Sequence, residues 1–130
     1  MCRVDKVAQA VSRLRAEQSG IWHLGADGSV LEGDTVPRSV MYDAHRIAGY
    51  VDELNQNDAA WNMFFAQRNI EPLRLSYEAA SDDPRHTVGQ ILNTLDLDRS
   101  LAANIALVTR KMADAESQSW VERFLEESRH

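Results

Sequence analysis

Apolar residues recur at helical spacing along most of this chain, and the spacing is clear from the first residues onward. In the segment 3–16, RVDKVAQAVSRLRA, the apolar residues follow one another at intervals of three or four: Val4, Val7, Val11 and Leu14. Such intervals put the side chains on one face of an α-helix. We therefore predict an amphipathic helix whose basic residues approach water, namely Lys6, Arg13 and Arg15.

The same periodicity continues towards the C-terminus. We predict further helices from about residue 41 to 69, from residue 84, after residue 98 and over residues 117–129. The helix at residue 84 has the sharpest start, because the Asp83 carboxylate can cap free N–H groups and Pro84 is tolerated in the first turn. The helix after Asp98 is expected to bury Leu101, Ile105 and Val108.

Two segments depart from this pattern. Residues 73–78, LRLSYE, alternate apolar and polar side chains, which predicts one short strand with one buried face. Residues 19–40 lack a period and hold four of the six glycines, so we predict a loop there. The fold expected from the residues is thus a predominantly α-helical chain with one short strand.

The length of 130 residues fits a single domain, since domains commonly run to roughly 100 to 200 residues. One domain over residues 1–130 needs one core. Aromatic side chains at helical spacing belong to a core by default, which applies to Trp61, Phe64 and Phe65. The residues expected to be buried together are Trp61, Phe65, Ile91, Trp120 and Phe124.

Charge and cysteine usage narrow the possible partners. The chain has 20 acidic and 14 basic residues, which argues against nucleic acid or an anionic membrane as a partner. Its apolar runs are too short to span a bilayer, and no apolar signal region opens the chain. Cys2 is the single cysteine, and no Cys/His cluster has metal-ligand spacing. We expect a cytoplasmic protein without a metal.

Several short motifs occur in a recognisable order. They are RVDKVAQAVSRLRA, SGIWH, YDAHRI, AAWNMFFA, IEPLRLSYE, DDPRH and WVERF. This order resembles the C-terminal half of the bacterial trehalose 2-sulfotransferase family, within the sulfotransferase superfamily. The resemblance implies an α/β fold by ancestry, a partial sulfotransferase fold of the P-loop-like type, of which this chain would hold the helical portion.

The resemblance also implies a donor and an acceptor. Such enzymes transfer a sulfuryl group from 3'-phosphoadenosine-5'-phosphosulfate to a carbohydrate hydroxyl, so a nucleotide and a sugar are the expected small-molecule partners. The opening segment would hold the 3'-phosphate through Arg3 and Ser12, because guanidinium donors and a hydroxyl suit a phosphate. Spacing alone favours the alternative, in which Arg3 is a solvated residue at a frayed end and Ser12 a small packing residue.

Two more residues match the nucleotide site of these enzymes. Tyr77 resembles the tyrosine that lies beside the adenine, with a buried core tyrosine as the alternative. Arg110 resembles a late basic residue that reaches the 3'-phosphate, with a solvated surface arginine as the alternative. Glu78 follows Tyr77 and is expected to orient neighbouring backbone or Arg74 rather than to transfer a proton.

No residue of this chain is assigned to catalysis. The sequence contains no strand, loop and helix rich in Ser, Thr and Gly, which these enzymes use to bind the 5'-phosphosulfate. The resemblance places that loop and the catalytic carboxylate in a missing N-terminal half. We expect a truncated chain that is inactive alone and that forms a homo-oligomer or joins the missing half. The alternative is a non-catalytic helical module for binding or dimerisation.

Overall fold

The computed structural model describes residues 1–25, 27, 29–33, 38–106 and 114–130. In chain order the elements are α1 (Lys6–Ser19), β1 (Ile21–Leu24), β2 (Val30–Gly33), α2 (Ala44–Gln67), α3 (Tyr77–Asp82), α4 (Pro84–Thr94), a 3₁₀ helix (Arg99–Asn104) and α5 (Ala115–Glu127). The described part of the chain is thus mostly helical with two short strands.

Contacts divide the chain into two compact units. The first unit comprises Met1–Val4 and Gln56–Ala106, and the second comprises Asp5–Asn55 and Leu107–His130. The prediction of one domain over residues 1–130 stays a prediction.

The predicted first helix is confirmed as α1, and its ends have local causes. The Asp5 side chain accepts a hydrogen bond from the Ala8 N–H at 2.8 Å, which caps the first turn. Gly20 ends the helix at a φ of 77°, where its N–H donates to the Ala16 carbonyl, and glycine adopts this left-handed conformation without strain. Val4 precedes the helix and is 72% exposed, so it does not belong to the buried face.

The second unit has a core where α1 and α5 pack together with the first half of α2. Its buried members are Ala10, Val11, Leu14, Ile47 and Trp120. The Tyr42 ring meets Trp120 edge-on with centroids 5.8 Å apart. The predicted helices for residues 41–69 and 117–129 are confirmed as α2 and α5, within two or three residues at each end.

The loop predicted over residues 19–40 lies mostly in the connection between α1 and α2, but part of this connection is regular. Strands β1 and β2 pair antiparallel, with Ile21 opposite Gly33 and Leu24 opposite Val30, and the register is irregular between these pairs. A Cβ atom at Gly33 would lie 2.0 Å from the Gly20 carbonyl oxygen. The close approach of the two backbones requires glycine at position 33. The hairpin is therefore recognisable by its glycine and not by an alternation of apolar and polar residues.

The first unit contains α3, α4 and the 3₁₀ helix. The predicted start of α4 is confirmed, since the Asp83 side chain accepts from the His86 N–H at 3.0 Å and Pro84 is the first helical residue. The helix predicted after Asp98 is only a six-residue 3₁₀ helix in which Leu101 is 56% exposed. Val108, expected on its buried face, lies outside the described residues.

The strand predicted over residues 73–78 is wrong. The segment has one isolated parallel bridge, between Cys2 and Ser76, and α3 begins at Tyr77. The Ser76 side chain accepts from the Ala79 N–H at 3.2 Å, so it caps a helix instead of continuing a strand. Leu73, expected on a buried face, is 42% exposed.

The predicted common core is also wrong. Trp120 is buried and Phe124 packs against it in the second unit. Trp61 and Phe64 belong to the first unit and are 59% and 42% exposed. Phe65 and Ile91 are half-buried there. The aromatic residues do lie at helical spacing, but this spacing did not predict which of them are buried.

Candidate functional site

Arg3, Tyr77 and Glu78 lie together in the first unit. The guanidinium carbon of Arg3 is 4.5 Å from the centroid of the Tyr77 ring, which is a cation–π contact. The Arg3 Nε lies 3.9 Å from Glu78 Oε1, an ion pair without a hydrogen bond. The Arg3 side chain is 18% exposed, so the ring and the carboxylate hold it in one place instead of leaving it in water.

Backbone hydrogen bonds fix the two segments that carry these residues. The Cys2 N–H donates to the Leu75 carbonyl at 2.9 Å, and the Tyr77 N–H donates to the Cys2 carbonyl at 2.7 Å. The Val4 N–H donates to both carboxylate oxygens of Glu78 at 3.1 Å. Hydrogen bonds therefore hold the backbone on both sides of Arg3, at Cys2 and at Val4.

Arg3 keeps hydrogen-bonding capacity for a further group. Its Nε is buried without a hydrogen-bond partner among the residues that the structure describes. The side chain of Arg3 contacts the Tyr77 ring and lies beside the Glu78 charge. A guanidinium held in this way can present its terminal donors to an anion, since arginine offers paired N–H groups in a fixed plane.

Ser12 belongs to the second unit, where it is half-buried on α1. It lines a cavity of about 330 Å³ whose other polar residues include Arg15, Arg38, Asp114 and Ser117. The cavity thus combines two guanidinium groups with hydroxyl groups and two carboxylates, those of Asp114 and Glu116.

Arg15 does not approach water as expected, because its side chain is only 19% exposed. Its terminal nitrogens donate to Asp114, to Ser117 and, at 2.9 Å, to Glu116. The hydrogen bond from Arg15 is the main cause that lowers the pKa of Asp114 to about 2, with the Ser117 N–H adding to it. The positive charge of Arg15 is therefore already matched by two carboxylates.

The structure places the residues predicted for the nucleotide site in different parts of the chain. Arg3 and Tyr77 are brought together within the first unit. Ser12 is in the second unit, so its pairing with Arg3 stays a prediction. Arg110 lies outside the described residues. Tyr77 is half-buried beside Arg3.

The sequence did not predict the partners that Glu78 and Arg15 have in the structure. Glu78 does orient backbone, as expected, but the backbone is that of Val4 and the arginine beside it is Arg3. Arg74 donates instead to Asn62 at 2.9 Å. One signal in the sequence indicates that Arg3 and Tyr77 belong to a single site. The segment with Arg3 resembles a phosphate-binding motif, and the segment with Tyr77 resembles an adenine-binding motif.

Within the described ranges, no group of three or more His, Cys, Asp or Glu residues is placed to hold a metal ion. No helix in the same ranges has both the length and the apolar character needed to cross a membrane.

Comparisons with known proteins give a consistent result. The sequence model of the Stf0 sulphotransferase family matches residues 1–127. The trehalose 2-sulfotransferase of Mycolicibacterium smegmatis is 32% identical over 122 residues, which cover 94% of this chain and 43% of that protein. The trehalose 2-sulfotransferase of Mycobacterium tuberculosis is 28% identical over 129 residues, covering 97% and 44%. The chain spans less than half the length of these relatives.

Proposed function

Because the chain belongs to the Stf0 sulphotransferase family, we propose that it binds the donor of sulfuryl transfer, 3'-phosphoadenosine-5'-phosphosulfate. Arg3 binds the 3'-phosphate of this nucleotide and Tyr77 lies beside the adenine. The observation that carries the proposal is the 4.5 Å contact between the two side chains. The base and the 3'-phosphate are attached to one ribose, so we expect the residues that recognise them to lie close together.

The chemistry of both residues suits these roles. The phosphate is doubly charged and accepts several hydrogen bonds, and the buried position of Arg3 makes each charge-assisted bond stronger than in water. One face of the Tyr77 ring lies against the guanidinium. The adenine therefore contacts the opposite face or the edge of the ring. Ser12 and Arg110 are proposed as further phosphate ligands on the basis of the sequence resemblance.

The acceptor is proposed to be a carbohydrate hydroxyl. Both relatives are named trehalose 2-sulfotransferases, so a sugar of this kind is the first acceptor to test. Transfer also needs groups that hold the 5'-phosphosulfate and remove the hydroxyl proton. The sequence given has no Ser/Thr/Gly-rich loop for the first task. We therefore propose that this chain alone binds the nucleotide without turnover.

Calorimetric titration tests the nucleotide proposal. Adenosine 3',5'-bisphosphate is compared with adenosine 5'-monophosphate, because the two ligands differ only in the 3'-phosphate. We expect the bisphosphate to bind with a Kd between millimolar and high micromolar, about 4 to 6 kcal/mol, and the monophosphate to bind more weakly. Equal binding of the two nucleotides would contradict the proposal.

A second candidate function is a helical module that dimerises. The first unit exposes several large apolar side chains, namely Trp61, Met63, Phe64, Ile70 and Leu73. Some of them line a cavity of about 530 Å³ that also contains Asp58 and Arg74. An exposed apolar groove of this kind can pair with its own copy across a two-fold axis.

Sedimentation velocity over a range of concentrations tests this second candidate. A dimer is expected at high concentration, and Trp61→Ser should shift it to monomer. A monomer at every concentration would contradict it, whereas the nucleotide titration is unaffected by that outcome.

A further inference from the structure

We propose that Glu78 is a positioning residue for the nucleotide site, which sets the place of Arg3 by holding the backbone of Val4. This inference rests on the proposed function, because Arg3 must bind the 3'-phosphate for its position to matter. Glu78 itself is not proposed to contact the nucleotide.

The contact of Glu78 with the backbone is a two-point contact. Both carboxylate oxygens lie 3.1 Å from the Val4 nitrogen, so the N–H is shared between them. Hydrogen bonds to an ionised acceptor are roughly twice as strong as those between neutral groups. The Arg3 Nε is 3.9 Å away, beyond hydrogen-bond distance, so Glu78 acts on that side chain through charge alone.

The Glu78 contact matters because little else holds Val4. Its side chain is 72% exposed, so burial of apolar surface does not anchor this position. On the other side of Arg3, the Cys2 backbone is tied to Leu75 and Tyr77 at 2.9 and 2.7 Å. Arg3 is thus bracketed by two anchors, and loss of Glu78 would release the second one.

The carboxylate also has an effect that opposes binding. A negative charge beside the arginine repels a phosphate, so a residue selected only for phosphate affinity would be neutral here. A positioning role explains why the carboxylate is present, since it fixes Arg3 despite this repulsion. Glutamine and alanine separate the two effects, because glutamine keeps an oxygen for the Val4 N–H and removes the charge.

The experiment compares the Kd of adenosine 3',5'-bisphosphate with that of adenosine 5'-monophosphate for the wild type and three variants. These are Glu78→Ala, Glu78→Gln and the control Glu71→Ala, which alters an exposed glutamate of the same unit. We expect Glu78→Ala to weaken the bisphosphate about tenfold and to leave the monophosphate unchanged. Glu71→Ala should match the wild type for both nucleotides, and Glu78→Gln should prefer the bisphosphate at least as strongly as the wild type, because the repelling charge is removed and the Val4 contact remains. Amide exchange at Val4 should become faster in Glu78→Ala alone.

The outcomes separate this inference from the proposed function. If the wild type prefers the bisphosphate and Glu78→Ala keeps that preference, the positioning role is wrong and the nucleotide site stands. Equal weakening of both nucleotides by Glu78→Ala would also overturn the role, because a general structural effect gives that result. If the wild type has no preference, both proposals fail. Should Glu78→Ala not fold, Glu78→Asp decides, since its shortened carboxylate is expected to lose the Val4 contact and the preference.

Discussion

The guanidinium of Arg3 lies over the ring of Tyr77, at 4.5 Å from its centroid, although the two residues come from different segments of the first unit, Met1–Val4 and Gln56–Ala106. The single parallel bridge between Cys2 and Ser76 brings their segments together. Each residue was assigned to a nucleotide role from a separate motif. Their contact is the structural reason to treat the two roles as one site.

The pair of Arg15 and Asp114 should make the stability of the second unit depend on pH. Arg15 lowers the pKa of Asp114 from 3.8 to about 2. A carboxyl with a lowered folded-state pKa stabilises the fold above its unfolded pKa and loses this contribution as the pH falls towards the folded value. Asp114→Asn keeps an N-cap for α5 but loses the ion pair. Urea unfolding should show a deficit for Asp114→Asn at pH 7 that shrinks between pH 4 and pH 2. A deficit that is constant with pH would contradict this assignment.

Gly33→Ala should destabilise the chain, since Gly33 has a φ of 114° and its added Cβ would lie 2.0 Å from the Gly20 oxygen. The expected loss in the free energy of unfolding exceeds about 1 kcal/mol. Gly49→Ala is the matched control, because Gly49 lies inside α2 with no atom within 4 Å of an added Cβ. That change should instead stabilise by about 0.5 to 1 kcal/mol. Urea unfolding of both variants measures the contrast, and changes of the same sign would contradict it.

Two tryptophans should respond differently to truncation. Trp120 is 7% exposed within the core of the second unit, so Trp120→Ala should cost about 3 to 5 kcal/mol of stability. Trp61 is 59% exposed, so Trp61→Ala should change the free energy of unfolding by much less. Chemical unfolding followed by circular dichroism at low protein concentration compares them. Similar losses for the two variants would show that Trp61 is covered in solution.

Helices α1, α2, α4 and α5 could be predicted from the sequence because their signals are local, whereas α3 was missed. Asp5, Gly20 and Pro84 mark helix ends through contacts within a few residues of themselves. Local signals could not show whether residues 73–78 form a strand. The alternation there is real, but Ser76 caps a helix, and a strand needs partners that a local pattern does not specify.

The candidate site was only partly predictable for the same reason. Arg3 and Tyr77 could be proposed singly, since each lies in a short motif. Their contact and the role of Glu78 depend on one long-range backbone bridge, which no spacing in the sequence reveals. The burial of Arg15 likewise depends on residues of α5 that are distant in the chain.

Titration of an Arg3→Ala variant is the most direct measurement of the proposed nucleotide site. Arg85→Ala is the matched control, because Arg85 is an exposed arginine in α4 of the same unit. A charge-assisted hydrogen bond contributes about 1.5 to 3 kcal/mol. We therefore expect Arg3→Ala to weaken adenosine 3',5'-bisphosphate about ten- to a hundredfold. The same variant should leave adenosine 5'-monophosphate unchanged, and Arg85→Ala should match the wild type for both nucleotides. The account would be contradicted if Arg3→Ala retained the wild-type preference for the bisphosphate.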